Sequence, residues 1–211
     1  MATLLARDLG RRPLRDVWAT MQSFTDTRGA DTDDEVWFVE HDPVFTLGLN
    51  AGDEHILDAA GIEIVRIDRG GQVTYHGPGQ LLAYVLLDLK RIDISIRALV
   101  ELLEQSVIDT VAYYGISASA RRDAPGVYVD GAKLAAIGLR VSRGCSYHGL
   151  ALNVDMDLGP YAGINPCGME DLAVTQLRDL GVSRTLPQVK EDLRGSLDAG
   201  LARYLEVLAD S

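Results

Sequence analysis

Twelve residues, Arg69-Gly70-Gly71-Gln72-Val73-Thr74-Tyr75-His76-Gly77-Pro78-Gly79-Gln80, carry four glycines and a proline together with an Arg, a Tyr and a His. An apolar alternation, Ile62-Glu63-Ile64-Val65-Arg66-Ile67, leads into them, and a longer apolar run, Leu81-Leu82-Ala83-Tyr84-Val85-Leu86-Leu87, leads out. Glycine reaches backbone conformations closed to other residues and lets a second group approach closely. Such a loop, pinned between two strands and bearing ring-containing polar side chains, is expected to form one wall of a site. The alternative is a glycine-rich hairpin that serves only the fold.

The rest of the chain sets the frame for that wall. At 211 residues it is long enough for one good core, and a single domain over 1–211 is expected. The net charge of −11 argues against a nucleic acid or an anionic membrane as partner, since either needs a basic face. The two cysteines, Cys145 and Cys167, fall in no CxxC or CxxH pattern, which suits free thiols in a reducing, cytoplasmic setting. No basic segment followed by an apolar one opens the chain, and no apolar run approaches the ~20 residues that cross a bilayer.

Helical spacing of Leu14, Val17, Trp18, Met21 and Phe24 predicts a helix over 13–28, with Pro13 at its start. Strands are expected at Glu35–His41, at Phe45–Gly48, at 62–67 and at 81–89, with a short helix over Asp53–Ala60. Ser95–Tyr114 repeats Ile96, Leu99, Val100, Leu103, Val107 and Val111 at helical spacing and stops at Gly115. Three strands follow, Gly126–Val129, Lys133–Val141 and Cys145–Val154. Asp130-Gly131 forms a strong hairpin signal and Arg143-Gly144 a weaker one. A weak helix is expected over 171–180 and a long one over Leu186–Asp210. Strands in the middle with helices at the ends and once between predict an α/β fold of the α+β type, a mixed sheet flanked by helices.

Chemistry has few candidates. Cys167 stands between Pro166 and Gly168, outside regular structure, where a thiol can be reached; Cys145 at a strand start suits a structural role. A thiol needs a base or a nearby positive charge to act as a nucleophile near neutral pH. His41, His55, His76, His148 and the lysines are the available groups. The chain has seventeen Arg and three Lys, Lys90, Lys133 and Lys190; a lysine amine can give and take a proton where a guanidinium cannot. Lys133 opens the otherwise apolar strand Leu134-Ala135-Ala136-Ile137, although a lysine at a hairpin turn more commonly keeps its head in water. His148, in an apolar strand, suits a satisfied core residue, and His41 and His55 carry no supporting pattern. No His, Cys, Asp and Glu set has metal spacing, and the glycine-rich stretch lacks the GK[ST] and GxGxxG of nucleotide loops.

Five motifs taken together carry a resemblance. Arg69–Gln80, then Gly126-Val127-Tyr128-Val129, then Gly131-Ala132-Lys133-Leu134-Ala135-Ala136-Ile137-Gly138, then His148-Gly149-Leu150-Ala151-Leu152-Asn153-Val154, then Asn165-Pro166-Cys167-Gly168 closely resemble the octanoyl-[acyl-carrier-protein]–protein N-octanoyltransferases, also called lipoate-protein ligase B. The resemblance spans about residues 35–180. It implies a fold similar to the biotin and lipoate protein ligases. It implies transfer of an octanoyl group from acyl carrier protein to a lysine ε-amine. The acceptor lysines lie on lipoyl domains of 2-oxoacid dehydrogenase subunits and on the glycine-cleavage H protein. No cofactor and no metal is implied, and the protein is expected to act as a monomer. A catalytic pair lands on Cys167 and Lys133. Substrate-binding segments land on Arg69, Gly70, Gly71, Gln72, Val73, Thr74, Tyr75 and His76, on Ala136, Ile137 and Gly138, and on Gly149, Leu150 and Ala151.

Small residues along these segments would leave an apolar channel for an eight-carbon chain. An acidic carrier protein would meet a chain at −11, so a local basic patch is expected from Arg69, Arg121, Arg122, Arg140 and Arg143. The readings that compete are an ATP-dependent lipoate ligase, which would not need Cys167, an acyl-thioesterase, and a non-catalytic scaffold that binds acyl carrier protein.

Overall fold

The computed structural model describes residues 4–169 and 172–210. Two sheets carry the architecture. In chain order the elements are β1 (Leu5–Arg11), α1 (Leu14–Thr27), β2 (Glu35–Glu40), β3 (Val44–Leu47), β4 (Glu63–Arg66), β5 (Val73–His76), β6 (Gln80–Leu86), α2 (Ile96–Ala112), β7 (Ser119–Ala120), β8 (Gly126–Val129), β9 (Ala132–Ser142), β10 (Cys145–Asn153) and α3 (Leu186–Ala209). The large sheet runs β1-β2-β6-β10-β9-β8-β7 and the small one β4-β3-β5. Both are mixed: β1 lies parallel to β2 and β3 parallel to β4, and the other pairings are antiparallel.

The helices form because each has one apolar stripe to bury. Leu99, Leu103, Val107 and Val111 of α2 and Val189, Leu193, Leu197 and Leu201 of α3 recur every four residues. They join Leu81, Ala83, Leu134, Ala135, Leu150 and Leu152 in the main core on one face of the large sheet. The Ser95 side chain accepts from the Ala98 amide to cap α2, and Thr185 and Gln188 form a reciprocal cap on α3. On the opposite face α1 lays Val17 and Met21 over Trp37, Val39, Leu82, Tyr84 and Leu86. The small sheet covers the remainder of that face, and the site lies between the two sheets.

Several expectations change. Leu5–Arg11 adds a strand that no sequence pattern predicts, an edge of the large sheet anchored where two guanidinium nitrogens of Arg7 meet the buried Glu35 carboxylate at 2.5 Å. The glycine-rich stretch is less of a loop than expected, since Val73–His76 pairs with β3. The helix expected over Asp53–Ala60 shrinks to one 3-10 turn, Asp53–His55. The amides of Leu57 and Asp58 both donate to the Gly163 carbonyl, so a tertiary contact takes the bonds a helix would need. Of the helix expected over 171–180, Asp171 lies outside the described residues. Val174 pairs in parallel with Lys133 instead, and turns follow. Both hairpin turns form with positive φ at both central residues, Asp130 (49°) with Gly131 (84°) and Arg143 (55°) with Gly144 (85°).

One close approach sets the strand spacing at the site. A Cβ at Gly149 on β10 would fall 2.0 Å from the Ala83 carbonyl oxygen on β6. Gly149→Ala is therefore expected to lower unfolding stability by about 3 kcal/mol, measured by urea denaturation, with a loss below about 0.5 kcal/mol contradicting this packing.

Candidate functional site

A cleft of about 530 Å³, solvent at its mouth included, opens between the sheets. One wall is Arg69, Gly71, Gln72, Val73, Thr74 and His76; the other is Ala136, Ile137 and Gly138 of β9 with Gly149, Leu150 and Ala151 of β10; Lys133 stands at one end. Three sequence motifs thus meet in one cavity. Ile67, Leu82, Tyr84 and His148 complete the lining, and the motif reading had not selected them for the cleft. Two expected wall residues sit elsewhere. Alternation along β5 turns Tyr75 into the small-sheet core against Phe45, ring centroids 5.5 Å apart. Gly70 fastens the sheets together, its amide donating to the Leu139 carbonyl at 2.8 Å.

Lys133 owes its direction to a bulge. Pairing of β8 with β9 joins Val127 to Ala135 but Tyr128 to Lys133, which leaves Leu134 as an extra residue. Leu134 and Ala135 both enter the helix-side core, and Lys133 returns to the cleft face with Ala136. Its residue exposure is 4%, so its head is not in water, and Nζ lies 5.3 Å from the Tyr128 ring centroid.

Cys167 lies in the 3-10 turn Pro166–Gly168, and its side chain is outside the described atoms. The turn is held from both sides. Before it, the Asn165 amide donates to the His55 carbonyl at 2.9 Å. After it, the Lys133 amide donates to the Ala173 carbonyl at 2.8 Å, and the Thr175 amide to the Lys133 carbonyl at 2.9 Å. A chain segment only a few residues beyond Cys167 is therefore laid along Lys133. Cys145 is buried at the start of β10, and burial pushes its thiol above the ordinary range, which suits a structural cysteine.

A buried polar network lies behind the cleft. Arg69 donates through Nη2 to the Thr46 carbonyl (2.8 Å) and hydroxyl (2.7 Å). The Thr46 hydroxyl lies 3.3 Å from His76 Nε2, and His76 Nδ1 lies 2.7 Å from Gln80 Oε1. Gln80 Nε2 donates to Asn153 Oδ1 and the Tyr75 carbonyl, so Oε1 is its acceptor and His76 Nδ1 carries the proton. By the same logic His41 Nδ1 donates to the Arg12 carbonyl (2.7 Å) and Nε2 accepts from Tyr84 (2.7 Å). Asp68 gathers four donors, Trp18, Gln22, Tyr147 and His148. A positive φ of 60° at His148 breaks strand alternation, so its ring stacks on Tyr147 and both reach that carboxylate. Burial alone would raise the Asp68 carboxyl, but the bonds from His148, Tyr147 and Gln22 outweigh it and hold it well below the carboxylate range. His41 and His55 had shown no pattern in sequence because their partners lie far along the chain.

The expected basic patch divides. Arg69 is buried, and Arg143 sits at the β9–β10 turn bonded to the Asp26 carbonyl, at the opposite end of β9 from Lys133. Arg121 and Arg122 remain together at a surface depression with Arg97, Glu101 and Glu104. Among the described residues no group of three or more His, Cys, Asp and Glu side chains is placed to hold a metal.

Burial pushes His41, His76 and His148 below the imidazole range, His76 to about 3. The unfolded chain protonates its imidazoles below about pH 6.5, and stability rises with pH wherever the unfolded state binds more protons. These rings therefore give full stability above about pH 6.5, lost as the pH falls from there toward 3, where the folded His76 also protonates. Thermal melts from pH 8 to 4 are expected to show a steady fall in midpoint below 6.5, with a shallower slope in His76→Gln; equal slopes would contradict the neutral assignment.

The family described as "Lipoyl protein ligase A/B catalytic domain" matches residues 13–198. An octanoyltransferase of Pseudomonas entomophila is 57% identical over 191 residues, 90% of this chain and 89% of the relative. One from Chromobacterium violaceum is 52% identical over 202 residues, 96% and 98% of the two chains. Among solved structures, a bi-partite lipoate protein ligase from Thermoplasma acidophilum superposes with a TM-score of 0.78 at 17% identity, covering 100% of this chain and 91% of that one. A biotin protein ligase from Aquifex aeolicus gives 0.56 at 14%, covering 97% and 70%. At such identities the structures speak for the fold alone, whereas the sequence relatives carry the activity. The chain belongs to the lipoyl protein ligase A/B catalytic-domain family and, within it, to the octanoyltransferases.

Proposed function

We propose that the protein moves an octanoyl group from acyl carrier protein to a lysine on a lipoyl domain through a thioester on Cys167, with Lys133 as proton carrier. The Cys167 thiolate, its proton held by Lys133, attacks the donor thioester; the C–S bond to the carrier breaks, and Lys133 gives that proton to the departing sulfur. The acceptor amine then attacks the acyl-enzyme. Lys133 takes a proton from the incoming lysine ammonium to free its lone pair, a C–N bond forms and the Cys167 sulfur leaves. A thioester is exchanged for an amide, a downhill step that needs no nucleotide.

The observation that carries this reading is Lys133, buried at one end of a cleft whose β9–β10 wall is small or apolar, with the segment after Cys167 hydrogen-bonded along it. Ala136, Gly138, Gly149 and Ala151 leave room for an acyl chain. The 2-oxoacid dehydrogenase and H-protein acceptors belong to the same proposal, and so do the monomeric state, a cytoplasmic setting and a single catalytic domain. No helix among the described residues is long and apolar enough to cross a membrane.

Incubation with octanoyl-acyl carrier protein and intact-mass analysis tests the covalent step. One octanoyl adduct per chain is expected, absent in Cys167→Ser. Lys133→Arg keeps the positive charge but cannot carry the proton, and is expected to lower turnover about 100-fold or more. Undiminished transfer by Cys167→Ser, with or without ATP, would contradict the acyl-enzyme.

A further inference from the structure

A lysine ammonium has three N–H bonds and the amide nitrogen it becomes has one. Two protons therefore leave the nitrogen, and one of them returns to the cysteine sulfur. Lys133 takes the first in the reading above. The second needs another acceptor close to the sulfur.

Two side chains beside the Cys167 turn hold a buried polar atom that meets no hydrogen-bond partner, Nδ1 of His55 and Oε1 of Gln72. Both reach the turn from the same side. A Cβ placed on Gly168 would stand 3.2 Å from His55 Nε2 and 3.4 Å from Gln72 Cδ. The backbone fixes His55 there, through the Asn165 amide on its carbonyl and the pairing of Ile56 with Ile164. A buried polar atom without a partner costs free energy, and few remain so in a folded protein. Gln72 Oε1 can only accept. His55 Nδ1 accepts when Nε2 carries the ring proton, the tautomer favoured by the Glu54 carboxylate 3.9 Å from Nε2. Two acceptors beside one turn suit an amine.

A second depression borders the Cys167 turn. It shares no lining residue with the acyl cleft and is bordered by Leu57, Asn165, Pro166, Ala173 and Val174. The residues flanking the Cys167 turn and those paired with Lys133 both line it.

We infer that His55 and Gln72, the latter from the wall of the acyl cleft, form the amine subsite, and that His55 is a catalytic residue of the second half-reaction. The inference rests on the covalent reading above. Lys133 removes one ammonium proton to expose the lone pair. As the C–N bond forms and the C–S bond breaks, His55 Nδ1 takes the second proton and delivers it to the Cys167 sulfur. Gln72 Oε1 holds the third N–H, which stays in the amide.

The test separates the half-reactions in the full-length protein. Octanoyl-acyl carrier protein is mixed with the unaltered protein, His55→Gln and Gln72→Leu, and adduct formation is timed by intact mass. The isolated acyl-enzymes are then mixed with a lipoyl domain and amide formation is timed. His55→Gln is expected to acylate within about twofold of the unaltered rate and to transfer about 100-fold more slowly; Gln72→Leu is expected to slow transfer about tenfold. Thermal melts confirm that each variant is folded. Transfer unaffected by His55→Gln overturns the inference alone, and equal losses in both steps make His55 a support of the turn and overturn it too. No adduct in the unaltered protein overturns the covalent reading and this inference with it.

Discussion

The seam between the two sheets governs the site. Arg69 is buried with its guanidinium on Thr46 of the small sheet, and the next residue, Gly70, donates its amide to Leu139 of the large one. A buried guanidinium must be hydrogen-bonded to be tolerated, and here it is also bonded to the Gly70 carbonyl at 2.9 Å. The fastening is polar on the small-sheet side and a plain backbone bond on the other. Between them the small residues of β9 and β10 leave the cleft. The glycine-rich stretch is therefore a hinge of architecture first and a wall of the pocket second.

The active groups are reached by local breaks in regularity. A bulge at Leu134 returns Lys133 to the cleft, and the positive φ of His148 places consecutive rings on one side of β10. Each break sits in a strand whose neighbours belong to the main core, so packing by α2 and α3 holds the irregular backbone in place. The chemistry depends in this way on helices that never touch the cleft.

Much of this could be read from residue order. The helices α1, α2 and α3, both tight hairpins and the strands β8 to β10 follow from periodicity and turn chemistry, because these elements make mostly local bonds or bury one clear stripe. What escaped was decided by distant partners. The edge strand β1 exists through pairing with β2; the helices expected after Asp53 and near 171–180 gave way to bonds with Gly163 and Lys133. In the site, Lys133 and Cys167 stood out by residue type and by resemblance. The Asp68 hub, the His41–Tyr84 pair and His55 gave no local signal, since their meaning lies in partners up to eighty residues away. Tyr75 was misplaced for a simpler reason: a strand, unlike a loop, alternates.

The central claim is that the acyl chain occupies the cleft between the sheets, with its thioester at the Lys133 end. A crystal structure of the octanoylated protein tests it most directly. The account predicts continuous density from Cys167 past Lys133, running over Ala136, Gly149 and Ala151 beneath Gln72 and Val73. A chain lying in the outer depression by Pro166 and Val174, with the cleft unchanged, would contradict it.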